Sequence, residues 1–101
     1  MKNDEIRHTV VFCLKHEKGS EEAEKFLRDG KEVLSAIPGA YQFESLWMVS
    51  EDGGYDYAFS MRFENQQAYD DFIKHGNHME FVKQRCKKEV SKFKVMDFCV
   101  I

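Results

Sequence analysis

Two histidines, His75 and His78, stand three residues apart in the stretch Phe72-Ile73-Lys74-His75-Gly76-Asn77-His78-Met79-Glu80-Phe81. Imidazole has the unperturbed pKa nearest neutral pH, so a histidine at a helix start facing an apolar cavity can act as a general acid or base. Asn77 reads as the N-cap of a helix, with Glu80 three residues on as the reciprocal acid of a capping box. His78 would then be the first helical residue. There the positive end of the helix dipole disfavours imidazolium and leaves the neutral ring that a base requires. The alternative role for His78 is structural, as a ring bonded to a backbone carbonyl that holds the loop. A metal pair of His75 and His78 is disfavoured, because Gly76-Asn77 would interrupt the helix between them and no further Cys or His lies near in sequence to complete a tetrahedral set. His75 is expected to face solvent.

Four more residues could share in such chemistry. Tyr57 and Tyr69 each carry a phenol able to donate a proton; the alternative for both is a core aromatic with a wet hydroxyl. His8 could lie across a cavity from His78, or be a satisfied polar residue on a core strand. Asp97 could orient His8 or another pocket group through a hydrogen bond, or cap a strand end.

The elements that must position these groups can be read from hydrophobic period. Residues 6–15 alternate, with Ile6, His8, Val10, Phe12 and Leu14 on one face and Arg7, Thr9, Val11, Cys13 and Lys15 on the other. Ser20 caps a helix with Glu21 and Glu22 in its first turn; Ala23, Phe26, Leu27, Val33, Leu34 and Ile37 keep helical spacing, and Pro38-Gly39 ends it. Strands are predicted over 41–49 and 55–63, joined by Glu51-Asp52-Gly53-Gly54, with Tyr55, Tyr57, Phe59, Met61 and Phe63 on one face of the second. Asn65 caps a short helix carrying Ala68, Tyr69, Phe72 and Ile73; after His75-Gly76 the helix capped by Asn77 follows, and a strand over 93–101 closes the chain. The order β-α-β-β-α-α-β predicts an α+β, ferredoxin-like domain with helices on one face of a four-stranded antiparallel sheet.

The sheet's other face would carry Val11, Cys13, Ala58, Ser60, Met96, Phe98 and Val100. That is too apolar to leave in water, and a homodimer pairing sheet against sheet would cover it. Arg62 and Asp56 could then pair across or at the rim of the interface. Trp47, on a strand, is expected in the core or the interface.

The 101 residues suffice for one domain spanning 1–101, with nine Phe and 43% apolar residues to build one core. A net charge of −3 argues against a nucleic-acid partner. The basic run Lys83, Arg85, Lys87, Lys88, Lys92 and Lys94 reads as a solvated helix face. Three cysteines (Cys13, Cys86, Cys99) with no CxxC spacing suit free thiols in a reducing cytoplasm. The opening MKNDEIRH lacks the apolar core of a signal peptide, and no run is long enough to span a membrane. No phosphate-cradling Gly loop, nucleophile elbow or dinucleotide fingerprint is present, so no cofactor is expected.

Ile6-Arg7-His8-Thr9-Val10-Val11-Phe12, Ile37-Pro38-Gly39, Gly54-Tyr55-Asp56-Tyr57-Ala58, Phe63-Glu64-Asn65, His75-Gly76-Asn77-His78 and Asp97 occur in an order and spacing that resembles the stress-responsive A/B barrel (Dabb, dimeric α/β barrel) domain family. The resemblance covers nearly the whole chain. It implies two ferredoxin-like protomers joined sheet to sheet, and a pocket between sheet and helices. The family's plant polyketide cyclases, similar to olivetolic acid cyclase, close a ring by an aldol step. Carried over by position, their base is His78. Their Tyr on the preceding helix is Phe72 here, which has no hydroxyl, a His near their pocket falls on Tyr57, and His8 keeps the first-strand histidine. The cyclase dyad is therefore broken in this chain.

The expected cavity is lined by His8, Val10, Phe12, Phe59, Phe72, Phe81 and Asp97, with His78 as candidate base and Tyr57 and Tyr69 as candidate donors. The first functional reading is a small-molecule binding protein for an apolar or aromatic ligand. The second is a cofactor-independent lyase or cyclase with His78 as base. The third is a dimer whose cavity is filled by its own aromatics.

Overall fold

A period of two makes Ile6–Leu14 a strand, and the sheet is centred on it: β1 buries Ile6, His8, Phe12 and Leu14 under the helices. The computed structural model describes residues 4–101; Met1–Asn3, part of the MKNDEIRH opening, lie outside the described residues. The other strands are β2 (Tyr41–Trp47), β3 (Tyr57–Phe63) and β4 (Val90–Cys99), in the antiparallel order β2-β3-β1-β4. The helices are α1 (Glu21–Ser35), α2 (Gln66–Lys74) and α3 (Gly76–Phe81); α3 runs on through a π-helical stretch, Val82–Cys86, into α4 (Lys87–Glu89). This is the ferredoxin-like plan. Among the described residues no helix is long and apolar enough to cross a membrane.

Two helix starts follow the expected chemistry. The Ser20 hydroxyl accepts from the Ala23 N–H at 3.2 Å, and Asn65 Oδ1 from the Ala68 N–H at 2.9 Å, each satisfying a backbone donor that the helix cannot. The third differs. His75, not Asn77, caps α3, its Nδ1 accepting from the Asn77 N–H at 3.1 Å. The break therefore falls at His75, whose extended backbone separates α2 from α3, and Gly76-Asn77 are helical. His75 is a half-buried cap rather than a solvent-facing side chain, and the capping box with Glu80 does not form.

Strand ends also shift. β2 and β3 stop at Trp47 and start at Tyr57, shorter than expected. The loop between them is tightened by the Gly53 N–H to Ser50 carbonyl bond, and β2 itself carries a bulge between Tyr41 and Glu44, with Gln42 at φ 51°. Tyr55 thus leaves the strand face and lies under Lys92 Nζ, 4.8 Å from its ring centre. β4 begins earlier than expected, because the Lys15 N–H bonds the Glu89 carbonyl at 2.7 Å and Leu14 pairs with Val90 past a bulge; Val100 falls beyond its end. Trp47 is not core: it is 53% exposed, packed on Tyr57 at 5.1 Å.

Under the helices Phe12, Phe26 and Phe59 pack ring to ring, with centres 4.9–6.3 Å apart. Gly30 of α1 lets the helix come down onto them, since a Cβ there would sit 2.7 Å from the Phe59 ring and 3.3 Å from Phe81. Those rings are wedged among other aromatics and have little room to retreat. Gly30→Val is expected to destabilise the protein by about 2 kcal/mol in urea unfolding, overpacking outweighing the gain of replacing a helical glycine. An unchanged urea midpoint would mean that α1 floats free of the sheet.

No helix covers the sheet's other face. Its rows read Tyr41, Arg62, Arg7, Phe98; then Glu44, Ser60, Thr9, Met96; then Leu46, Ala58, Val11, Lys94, from β2 to β4. Val11 and Ala58 are buried by their neighbours, whereas Leu46 and Phe98 are exposed. Within the protomer Arg62 lies 3.9 Å from Glu5, and Asp56 3.9 Å from Lys18. Glu5, within reach of Arg7, Arg62 and Tyr41, draws Arg62 to its own end of the sheet.

Candidate functional site

Phe12, Phe59 and Met61 floor a cavity of about 650 Å³ between the sheet and the helices. Phe26 and Leu34 of α1, Tyr69, Phe72 and Ile73 of α2, and His78 and Phe81 of α3 wall it, with Phe93 and Val95 of β4 at its open side. A volume in the range of small-molecule pockets, open at one side, counts against a core filled by its own aromatics. Of the residues singled out from sequence, His8, Val10, Phe12, Phe59, Tyr69, Phe72, His78 and Phe81 line this space. Tyr57 does not: it is fully buried at the far end of β3, its ring against Phe12 and Trp47 and its hydroxyl accepting from the Gly19 N–H at 3.3 Å.

His8 is held from behind. Its Nδ1 lies 2.5 Å from Asp97 Oδ1, and the Tyr69 hydroxyl donates to Asp97 Oδ2 at 2.9 Å while lying 3.1 Å from the same Nδ1. β1–β4 pairing sets this up, since His8 and Asp97 are direct cross-strand neighbours. With Nδ1–H directed to the carboxylate, Nε2 is the nitrogen left for other work. Among the described residues no fully buried side-chain nitrogen or oxygen lacks a partner, so Nε2, which has none, reaches open space. Asp97 bonds His8 from behind and is not itself part of the wall. Burial first, and then the Asp97 hydrogen bond, push the Tyr69 phenol well above its usual range, so it remains a protonated donor committed to Asp97.

His78 faces His8 across the cavity and stands edge-on to Phe72, ring centres 5.0 Å apart. Its pKa is lowered, chiefly by burial and then by the charge of His8; a bond to the Ile73 backbone opposes this. The neutral ring expected from a helix dipole therefore has a different cause. Phe72 is fully buried between Phe63 and His78.

The pattern of the sequence did not reveal the wall made by Val82, Cys86 and Lys87. Val82 and Cys86, at the two ends of the π-helical stretch and four residues apart, share the face turned to the cavity. Burial pushes the Cys86 thiol up to about 11, which makes it wall rather than nucleophile. Among the described residues no group of three or more His, Cys, Asp or Glu could hold a metal ion.

Residues 6–100 match the family model described as the stress responsive A/B barrel domain. A Dabb family protein with a ferredoxin-like fold from Mesorhizobium loti superposes with a TM-score of 0.94 at 44% identity, over 96% of this chain and 97% of that one. Two more distant structures share the fold. One is a hydroxynitrile lyase from Passiflora edulis (TM-score 0.83, 14% identity, 98% and 95% of the chains). The other is a dimeric ferredoxin-like protein of unknown function from Bacteroides fragilis (0.74, 17%, 99% and 100%). A search of curated proteins finds no match.

Proposed function

We propose, from the premise that the chain belongs to the stress-responsive A/B barrel domain family, that it is a homodimeric small-molecule binding protein. Its ligand is a mainly apolar, carbonyl-bearing compound held between sheet and helices. The single observation that carries this reading is the cavity of about 650 Å³, walled by Phe12, Phe59, Phe72 and Phe81 and given two imidazoles, His8 and His78, as polar fixtures. An apolar pocket with a few convergent polar groups is the usual form of a ligand site. The exposed sheet face, with Leu46 and Phe98 uncovered, supports the sheet-to-sheet dimer. Three free cysteines support a reducing, cytoplasmic setting.

A second reading, favoured by the lowered pKa of His78, is a cofactor-independent lyase or cyclase in which His78 takes a proton from carbon beside the ligand's carbonyl. His8, oriented by Asp97, would offer Nε2 to the carbonyl oxygen. Tyr57 has no part in it, and Tyr69 serves by positioning Asp97 and His8. The Passiflora lyase carries its chemistry on the same fold, which is compatible with this reading and no more than that.

Native mass spectrometry of the protein mixed with 2-decanone, a neutral ten-carbon ketone, tests the first reading. The expected spectrum is a dimer carrying up to one ketone per protomer, with binding weakened by Phe59→Trp, which crowds the cavity floor. A dimer that takes up no ketone would remove the ligand-binding reading, and a monomer would remove the sheet-to-sheet dimer.

A further inference from the structure

We propose that the ligand carries an anionic end, a carboxylate, and that Lys83 and Lys87 hold it in a vestibule outside the cavity; this rests on the ligand-binding reading above. The basic run of residues 83–94 is not uniformly a solvated face. Arg85 turns inward, bonded to Glu89 and 2.7 Å from Asp29, and Lys92 lies over Tyr55. Lys83 and Lys87 make no ion pair among the described residues. Both line a second, shallower pocket beside the first, with Met79, Glu80 and Gly76. The two spaces share Ile73, His78, Val82 and Lys87 as their common wall.

Charge and shape agree on what fits. No Asp or Glu lines the inner cavity, and in the vestibule two lysines outnumber the one carboxylate, Glu80, which is itself without an ion pair among the described residues. This local excess of positive charge stands on a chain whose net charge is −3. A cationic rim on an apolar chamber favours a molecule with an apolar body and an anionic end. Lys83 lies within the π-helical stretch and Lys87 just past it. Lysine ammoniums on flexible stems suit a carboxylate that stays partly hydrated. His78 lines both chambers, so the segment of the ligand at the junction faces its ring.

Calorimetric titration with decanoate and with 1-decanol, equal in chain length and different in charge, tests this. Transfer into an apolar cavity alone favours the alcohol, so tighter binding of the acid requires the lysines. Decanoate should bind about tenfold more tightly than decanol at low salt, with two partly exposed ion pairs each contributing a few-fold. That preference should shrink in 0.5 M NaCl, fall in K83Q, whose side chain lines the vestibule alone, and vanish in the K83Q/K87Q double variant. Equal affinity for acid and alcohol, or a preference that survives the double substitution, overturns the anionic end and leaves the ligand-binding reading standing. Failure of both probes to bind overturns that reading and this inference with it.

Discussion

Phe98→Lys should convert a micromolar solution of the protein from dimer to monomer, read by light scattering behind size exclusion, with little change in the far-ultraviolet spectrum. Phe98 lies on the helix-free face of β4 and is 55% exposed in the protomer, so the protomer core loses little when it is replaced. In a sheet-to-sheet dimer the same side chain is desolvated, and a lysine there buries a charge without a partner, a cost that a standard interface cannot absorb. The sign of the new charge matters. Arg7 is the direct cross-strand neighbour of Phe98, and Arg62 stands next in the row. An aspartate could pair with Arg7 and soften the effect, whereas a lysine adds like charge to like. A Phe98→Lys protein that remains dimeric would place the interface elsewhere and leave this apolar face without an occupant.

The fold was legible because its signals are periodic and local. Ile6, His8, Val10, Phe12 and Leu14 recur at every second position of β1, and Ser20 and Asn65 stand where helices must find an acceptor for orphaned N–H groups. The site was legible in part, for a reason of the same kind. His8 and Asp97 are 89 residues apart, yet both lie on the helix side of adjacent strands, so an antiparallel pairing was enough to suggest that they meet. Tyr57 misled because alternation gives the face of a strand and not the position along it. It shares the helix side with Phe59 and Met61 but lies at the end nearest Gly19, past the cavity. The helix start at His75 was missed because Asn is the commoner cap, while a histidine reaches the same N–H with Nδ1. The π-helical wall had no signal to read, since widening by one residue per turn leaves the composition of Val82–Cys86 ordinary.

That histidine cap bears on the largest chemical effect expected. With α3 starting at Gly76, His78 sits in the first turn, and its neutrality rests on burial and on His8. A ring so placed can remove a proton from carbon beside a carbonyl, and the transfer can be followed without knowing the natural substrate. In D₂O, deuterium exchange at the carbons flanking the carbonyl of 2-decanone should be accelerated by the protein. His78→Ala should cut that acceleration by about 10²- to 10³-fold, the usual contribution of a positioned base, with ketone affinity nearly intact. Because the folded pKa lies below the ordinary imidazole value of 6.5, the neutral base persists to lower pH than in a free histidine. The rate should stay level through pH 7 and fall only on the acid side of 6.5, as protonation removes the base. His8→Ala and Asp97→Asn separate the two histidines. If Asp97 orients His8, its substitution should weaken exchange as His8→Ala does, without moving the acid limb that belongs to His78 by more than the loss of one neighbouring charge allows. Exchange that is unchanged in His78→Ala would return this histidine to a wall residue bonded to the Ile73 backbone, and the protein to a binding role.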